Sequence, residues 1–279
     1  MIDQRAVHRT RDDEVFLVDA VVAGDRVSAS GVISSGHSRM LRSGGRLPGI
    51  LVLEIFRQAG FLMAHEAAGM PFGWHLVTSR VEMVWRAGPP HVASNSAFAF
   101  EVTGEVGVER RGGEPCYLQF TAELASAGRV IATGTIEAYS LAPDRYQALR
   151  RHALVAPHAH LVADTQSNDD GSPGRVVGWD DSDPFLFNRP GDHVVSMALI
   201  EAILAAAEAH SSGRPTSVEV EFLHFAERNS PVYLAPPQRR GGDDVWELHQ
   251  DDRLIVRAFT RCDTPEMAPE QVSGDNPPS

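Results

Sequence analysis

Glu54, Arg57, Gln58, Phe61 and His65 recur at helical spacing inside one apolar run and fall on one face of the helix that the run predicts. Burying Glu54 and Arg57 is costly unless each is paired or hydrogen-bonded. The stripe is therefore either a solvated edge, a pair that satisfies itself, or the polar edge of a pocket. The third reading is preferred because these side chains sit mid-helix, between apolar turns. A carboxylate held in an apolar helix has its pKa raised, which suits Glu54 to general-base work at neutral pH. Backbone N–H groups at Gly49-Ile50, where that helix begins, can hold a carbonyl oxygen as negative charge develops.

Other residues can do chemistry too. His37, in Gly36-His37-Ser38, is a candidate acid or base. So is His193 beside Asp192, unless Asp192 is merely the N-cap of a second apolar helix carrying Glu201. Glu201 has no Arg on its own helix, which favours an acid role over a base. The loop arginines Arg39, Arg42 and Arg46 suit a phosphate or an acidic partner surface, or form a solvated turn. His65 and His210 near helix ends read as dipole-compensating or surface residues. His158-Ala159-His160 has the spacing of a metal pair but lacks a third ligand, and Cys116 and Cys262 stand alone. No metal, nucleotide or flavin motif is present, so no cofactor is expected.

The elements that must position these groups recur in order. Two strands, around Val15–Val18 and Val27–Ile33, meet at a Gly24-Asp25 turn. After the His37 loop, Pro48-Gly49 opens the long apolar helix. Strand patterns follow at Leu76–Trp85, Ala97–Val108, Cys116–Leu124 and Val130–Tyr139. The plan then repeats: Asp192-His193, an apolar helix to about His210, a strand at Thr216–Phe222 and a last hairpin. Glu123-Leu124 and Arg129–Ala132 find counterparts in Glu247-Leu248 and Arg253–Val256. The chain reads as two α+β units, 1–142 and 157–264, with a linker over 143–156 and a Pro/Glu/Ser/Gly-rich disordered tail over 265–279.

Composition bounds the partners. The chain has 279 residues, a net charge of −12 and 25 basic residues, all of them Arg. That balance argues against a general nucleic-acid binder. No uncharged apolar segment reaches membrane-spanning length, and Met1-Ile2-Asp3-Gln4-Arg5 does not read as a signal peptide, so a cytoplasmic protein is expected.

A buried helix opened by Pro-Gly, carrying a Glu and preceded by a His loop, resembles the hot-dog fold of 3-hydroxyacyl-carrier-protein dehydratases. The chain is more similar to the A-factor biosynthesis (AfsA-like) family, with two hot-dog repeats in one chain. The matching residues are Val7-His8-Arg9, Gly36-His37-Ser38, Glu54-Ile55-Phe56-Arg57-Gln58-Ala59-Gly60, Asp192-His193 and Glu201-Ala202. The resemblance implies a double hot-dog pseudo-dimer, each antiparallel sheet wrapped around a central helix. It implies transfer of a β-ketoacyl group from an acyl-carrier protein or CoA to the hydroxyl of dihydroxyacetone phosphate. Glu54 would then be the base, and Arg57, Arg39 or Arg46 the phosphate ligand. The second helix lacks the family's Pro-Gly and Arg-Gln, so one working and one degenerate site are expected, with the pocket at the seam between repeats. Rival readings are a dehydratase or thioesterase on a carrier-bound chain, or a non-catalytic carrier-binding scaffold. A monomeric pseudo-dimer and a homodimer are both compatible.

Overall fold

In Arg26–Ser34 buried and exposed residues alternate along the whole strand, the signature of a sheet with one face on a core. The computed structural model describes residues 2–151, 174–188, 191–211 and 213–262. The His158/His160 pair, the end of the expected linker and the expected tail lie outside those residues. The first repeat contributes β1 (Leu17–Ala23), β2 (Arg26–Ser34), β3 (His75–Trp85), β4 (Ala97–Arg111), β5 (Glu114–Ser126) and β6 (Arg129–Leu141). The second contributes β7 (Arg175–Val176), β8 (Pro215–Phe222), β9 (Tyr233–Leu234), β10 (Gln238–Arg240), β11 (Asp243–Gln250) and β12 (Arg253–Cys262).

All join one 12-stranded antiparallel sheet, in the order β1-β2-β4-β5-β6-β3-β8-β12-β11-β9-β7, with β10 on β11. The repeats meet where β3 pairs with β8, Val81 opposite Val220, and Arg80 donates from Nε to Glu219 at 3.0 Å across that seam. Among the described residues the α-helices are α1 (Ser38–Arg42), α2 (Gly49–Glu66), α3 (Pro143–Arg150) and α4 (Ser196–His210). α3 occupies the first part of the stretch 143–156 expected as linker. Pro143 at its first turn, where a missing N–H costs nothing, and Asp144 beside it explain its start.

α2 and α4 are the two central helices. Thirteen of the 18 residues of α2 are buried, which makes it core rather than surface. Pro48 precedes it with extended backbone, Ala67 caps its end, and beyond that Gly69 turns the chain at φ 70°, where Met70 N–H returns to the Ala64 carbonyl. The sheet lies close on this helix. A Cβ at Gly134 would stand 2.7 Å from both the Phe56 ring and the Glu82 carbonyl. The start of α2 packs toward Leu204 of α4, so the two repeats share one core.

Candidate active site

Glu54 is fully buried in α2 and held by three side chains. Arg9 donates from Nε to Oε1 at 2.9 Å, Arg57 from Nε to Oε2 at 2.7 Å and from Nη2 to Oε1 at 2.9 Å, and Gln58 from Nε2 to Oε1 at 2.7 Å. Burial by itself raises the Glu54 pKa, but Arg57 and Arg9 together outweigh it and bring it down to about 2. The expectation of a raised pKa is therefore corrected: Glu54 lies below its ordinary value, with three donors on Oε1 and one on Oε2. Gln58 also donates to the Glu14 carbonyl and accepts from Phe16 N–H, which fixes it as scaffold rather than substrate ligand. Arg57 is partly exposed. Its Nε and Nη2 grip Glu54, and no hydrogen bond among the described residues uses its Nη1.

The second repeat supplies a different group. Asp192 accepts from His193 Nδ1 at 2.7 Å, from the Tyr146 hydroxyl at 2.8 Å and from Arg150 Nε at 2.8 Å. Burial pushes the Asp192 carboxyl up, but the His193, Arg150 and Tyr146 hydrogen bonds outweigh it and hold it well below the usual carboxylate range. With an ionised carboxylate at Nδ1, the imidazole carries its proton there and leaves Nε2 as the acceptor. His193 and Asp192 do not cap α4; its N-cap is Val195, which makes no side-chain cap.

Arg57 and His193 share one cavity. Arg57, Phe61 and Gly60 of α2 line it with Val106, Leu118, Phe120 and Ile136 on strands of the first repeat, and with Phe185, His193, Ser196 and Met197 of the second repeat. It measures about 210 Å³ and opens beside a groove of about 990 Å³ that runs past His75, Tyr146 and Phe225. His193 lines both. Cavity walls that are mostly apolar, with Arg9 and Arg57 from one repeat and His193 from the other, suit an acyl chain ending in a reactive carbonyl.

The family model for the A-factor biosynthesis hotdog domain matches residues 1–142 and 156–264. The chain belongs to that family. Among curated relatives, a Streptomyces coelicolor protein is 29% identical over 277 residues, covering 89% of this chain and 87% of its own, and is named 2-oxo-3-(phosphooxy)propyl 3-oxoalkanoate synthase. A Streptomyces virginiae protein of the same name is 27% identical, covering 91% of this chain and 95% of its own. In fold, the chain is similar to the 12:0-ACP thioesterase of Umbellularia californica, with TM-score 0.58 and 13% identity over 86% of this chain and 98% of that one. HtdX of Mycobacterium tuberculosis matches at TM-score 0.52 and 12% identity, over 84% and 99%. The double hot-dog architecture of the A-factor family is thus the architecture of this chain.

Within this family fold, several expected site residues lie elsewhere. Arg39 is buried, not a loop arginine facing solvent. It grips Glu201 from Nε and Nη2 at 2.9 and 2.8 Å and Asp183 from Nη1 at 2.8 Å. Glu201 therefore does have a cation, supplied by the other repeat, which corrects the reading of an unpartnered acid. Gly49 and Ile50 line a cleft with Arg39 and Glu201, away from Arg57 and His193. The helix N-terminus on the Arg57 cavity is that of α4, through Ser196 and Met197. His37 Nδ1 accepts from Arg39 N–H as the cap of α1, and its Nε2 faces Glu14 at 3.4 Å. Both ring nitrogens are occupied, so the structure gives His37 a capping task. Arg46 is exposed and lines a separate cleft with Trp85 and Arg214. His65 is buried against Met70 and His8 rather than on the surface.

Arg39 joins the repeats by charge, and Arg39→Met should strand Glu201 and Asp183. Both carboxylates keep some exposure, so the expected loss is about 2 kcal/mol, less than a fully buried pair would cost. A thermal melt should show a Tm lower by about 5 °C. An unchanged melt would mean that the Arg39 fork adds nothing to the seam.

Sequence reasoning missed Arg9 as the partner of Glu54, and Tyr146, Arg150 and Glu227 around Asp192. Only the Val7-His8-Arg9 match had marked the first. No group of three His, Cys, Asp or Glu among the described residues is placed to hold a metal ion, and no helix among them is long and apolar enough to cross a membrane.

Proposed function

We propose that this chain transfers a 3-oxoacyl group from a carrier-protein or CoA thioester to the hydroxyl of a phosphorylated hydroxyketone such as dihydroxyacetone phosphate, in the cytoplasm. The observation that carries the reading is the meeting of Arg57, from one repeat, with the Asp192-His193 dyad, from the other, on one apolar cavity. The name of the relatives supports it: their product is the ester of a 3-oxoalkanoate with a phosphooxy ketone.

The chemistry follows from these groups. His193 Nε2 takes the proton of the acceptor hydroxyl as its oxygen attacks the thioester carbon. Charge builds on the carbonyl oxygen, where the Ser196 and Met197 N–H groups at the start of α4 can donate. Collapse breaks the C–S bond, and the proton on His193 passes to the leaving thiolate. The products are the ester and a free thiol. Arg57 supplies a fixed guanidinium for the phosphate, pinned by Glu54 so that little rotamer freedom is lost on binding. The acyl tail lies among Val106, Leu118, Phe120 and Ile136.

Intact-mass analysis of a 3-oxoacyl-loaded carrier, with and without dihydroxyacetone phosphate, tests the reading. Unloading should require the acceptor and yield a new phosphorylated ester. Arg57→Met should raise the acceptor KM at least about tenfold, because a charge-assisted pair to phosphate is worth more than one neutral hydrogen bond. Unloading that proceeds equally well without acceptor would replace this reading by a thioesterase.

A further inference from the structure

α3 lies between the two stretches that the family model matches, 1–142 and 156–264, yet its side chains close the dyad from behind. Arg150 is almost wholly buried and uses its whole donor fork. Nε donates to Asp192 Oδ2 at 2.8 Å, Nη2 to the Asp192 carbonyl at 3.1 Å and to Glu227 Oε2 at 2.7 Å, and Nη1 to Glu227 Oε1 at 2.6 Å. Its guanidinium lies 4.4 Å from the centre of the Phe225 ring, and Phe225 meets His193 edge-on at 4.9 Å. Tyr146, one turn earlier, donates its hydroxyl to Asp192 Oδ1 at 2.8 Å and sits 3.3 Å from His193 Nδ1. Its ring stacks on His75 at 3.8 Å.

We propose that α3 is the positioning element of the reaction, with Tyr146 and Arg150 orienting Asp192 and balancing its charge so that His193 presents a neutral Nε2 to the cavity. The proposal rests on the reading of His193 as the base. Two physical needs support it. A carboxylate that accepts from a lone imidazole is free to rotate, whereas Asp192 has both oxygens tied to α3. Charge is the second need. The groups facing His193 are Asp192, Tyr146, Arg150 and Glu227, with His75 on β3 and Arg57 and Arg9 across the cavity. Asp192 and Glu227 without Arg150 would favour an imidazolium, which cannot accept a proton. Arg150 offsets one of those two negative charges and forks between them.

The test uses the full chain, three α3 variants and His193→Gln as the control for the base. Acyl transfer is measured from about pH 5 to 9, and the imidazole N–H of His193 is followed by nitrogen-resolved NMR. Arg150→Met should lower kcat about 100-fold, leave the acceptor KM within about twofold, and move the acid limb of kcat/KM up by about one pH unit. Arg150→Lys keeps the charge without the fork, so the acid limb should return while kcat recovers only in part. Tyr146→Phe, the mildest change, should lower kcat about tenfold and weaken the Nδ1–H signal. If the folded fraction of all three variants keeps the wild-type kcat, acid limb and Nδ1–H signal, α3 is structural only and the proposal falls. If His193→Gln keeps wild-type transfer, it is the base reading that fails, and the Nδ1–H signal in the α3 variants then decides by itself whether α3 sets the imidazole.

Discussion

His193→Gln should reduce acceptor-dependent unloading of the 3-oxoacyl carrier by roughly 100- to 10,000-fold, the range that a positioned general base contributes. Gln keeps a donor that can still reach Asp192 and fills similar space, so the dyad's scaffold survives while the base is lost. His193 is partly exposed and lies outside the main core, so the melt should move little. The acceptor KM should also change little, because Arg57 and its Glu54 anchor sit in the other repeat. Single-turnover transfer followed by intact mass separates this from a binding defect. A variant that turns over within tenfold of wild type would remove His193 from the chemistry. Asp192→Asn offers a companion result: an amide can donate to Nδ1 and so favour the tautomer whose Nε2 carries the proton, which disables the base.

What could be read from the residues was local. Hairpins announced by Gly24-Asp25, Gly112-Gly113 and Gly128 stand where the alternation placed them, and the Pro48-Gly49 signal opens α2 at Gly49. The polar face of α2 was visible because helical spacing is a short-range fact. Its charge state was not, because the deciding partner, Arg9, lies 45 positions upstream. Counting only the burial of Glu54 gives a raised pKa; counting Arg9 and Arg57 reverses the sign. Arg39 and Glu201 are 162 positions apart, so no reading of α4 alone finds the cation. α3 is a different lesson. Pro143 followed by Asp144 is an adequate helix start, but Arg-rich sequence with few apolar residues reads as linker until its buried arginine is seen to face two carboxylates.

Glu54→Gln should act on stability and on the acceptor, not on the base. Removing the charge of a fully buried carboxylate leaves Arg9, buried, and Arg57, partly exposed, without their shared counterion, which costs about 3–5 kcal/mol. For a chain of this size the Tm should fall by about 10 °C. The pH dependence fixes the cause. A carboxyl whose folded pKa is about 2 and whose ordinary value is 4.5 contributes stability that is fully present above pH 4.5 and lost as pH falls toward 2. That contribution is about 3 kcal/mol. Denaturant melts at pH 7 and near pH 3 should therefore show the gap between wild type and variant narrowing in acid, since protonation does to Glu54 what the substitution has already done. In the transfer assay Arg57 loses the anchor that aims it, so the acceptor KM should rise while kcat at saturating acceptor falls much less. A kcat collapse with an unchanged Tm would be the signature of a catalytic carboxylate, and would return the proton-accepting role from His193 to Glu54.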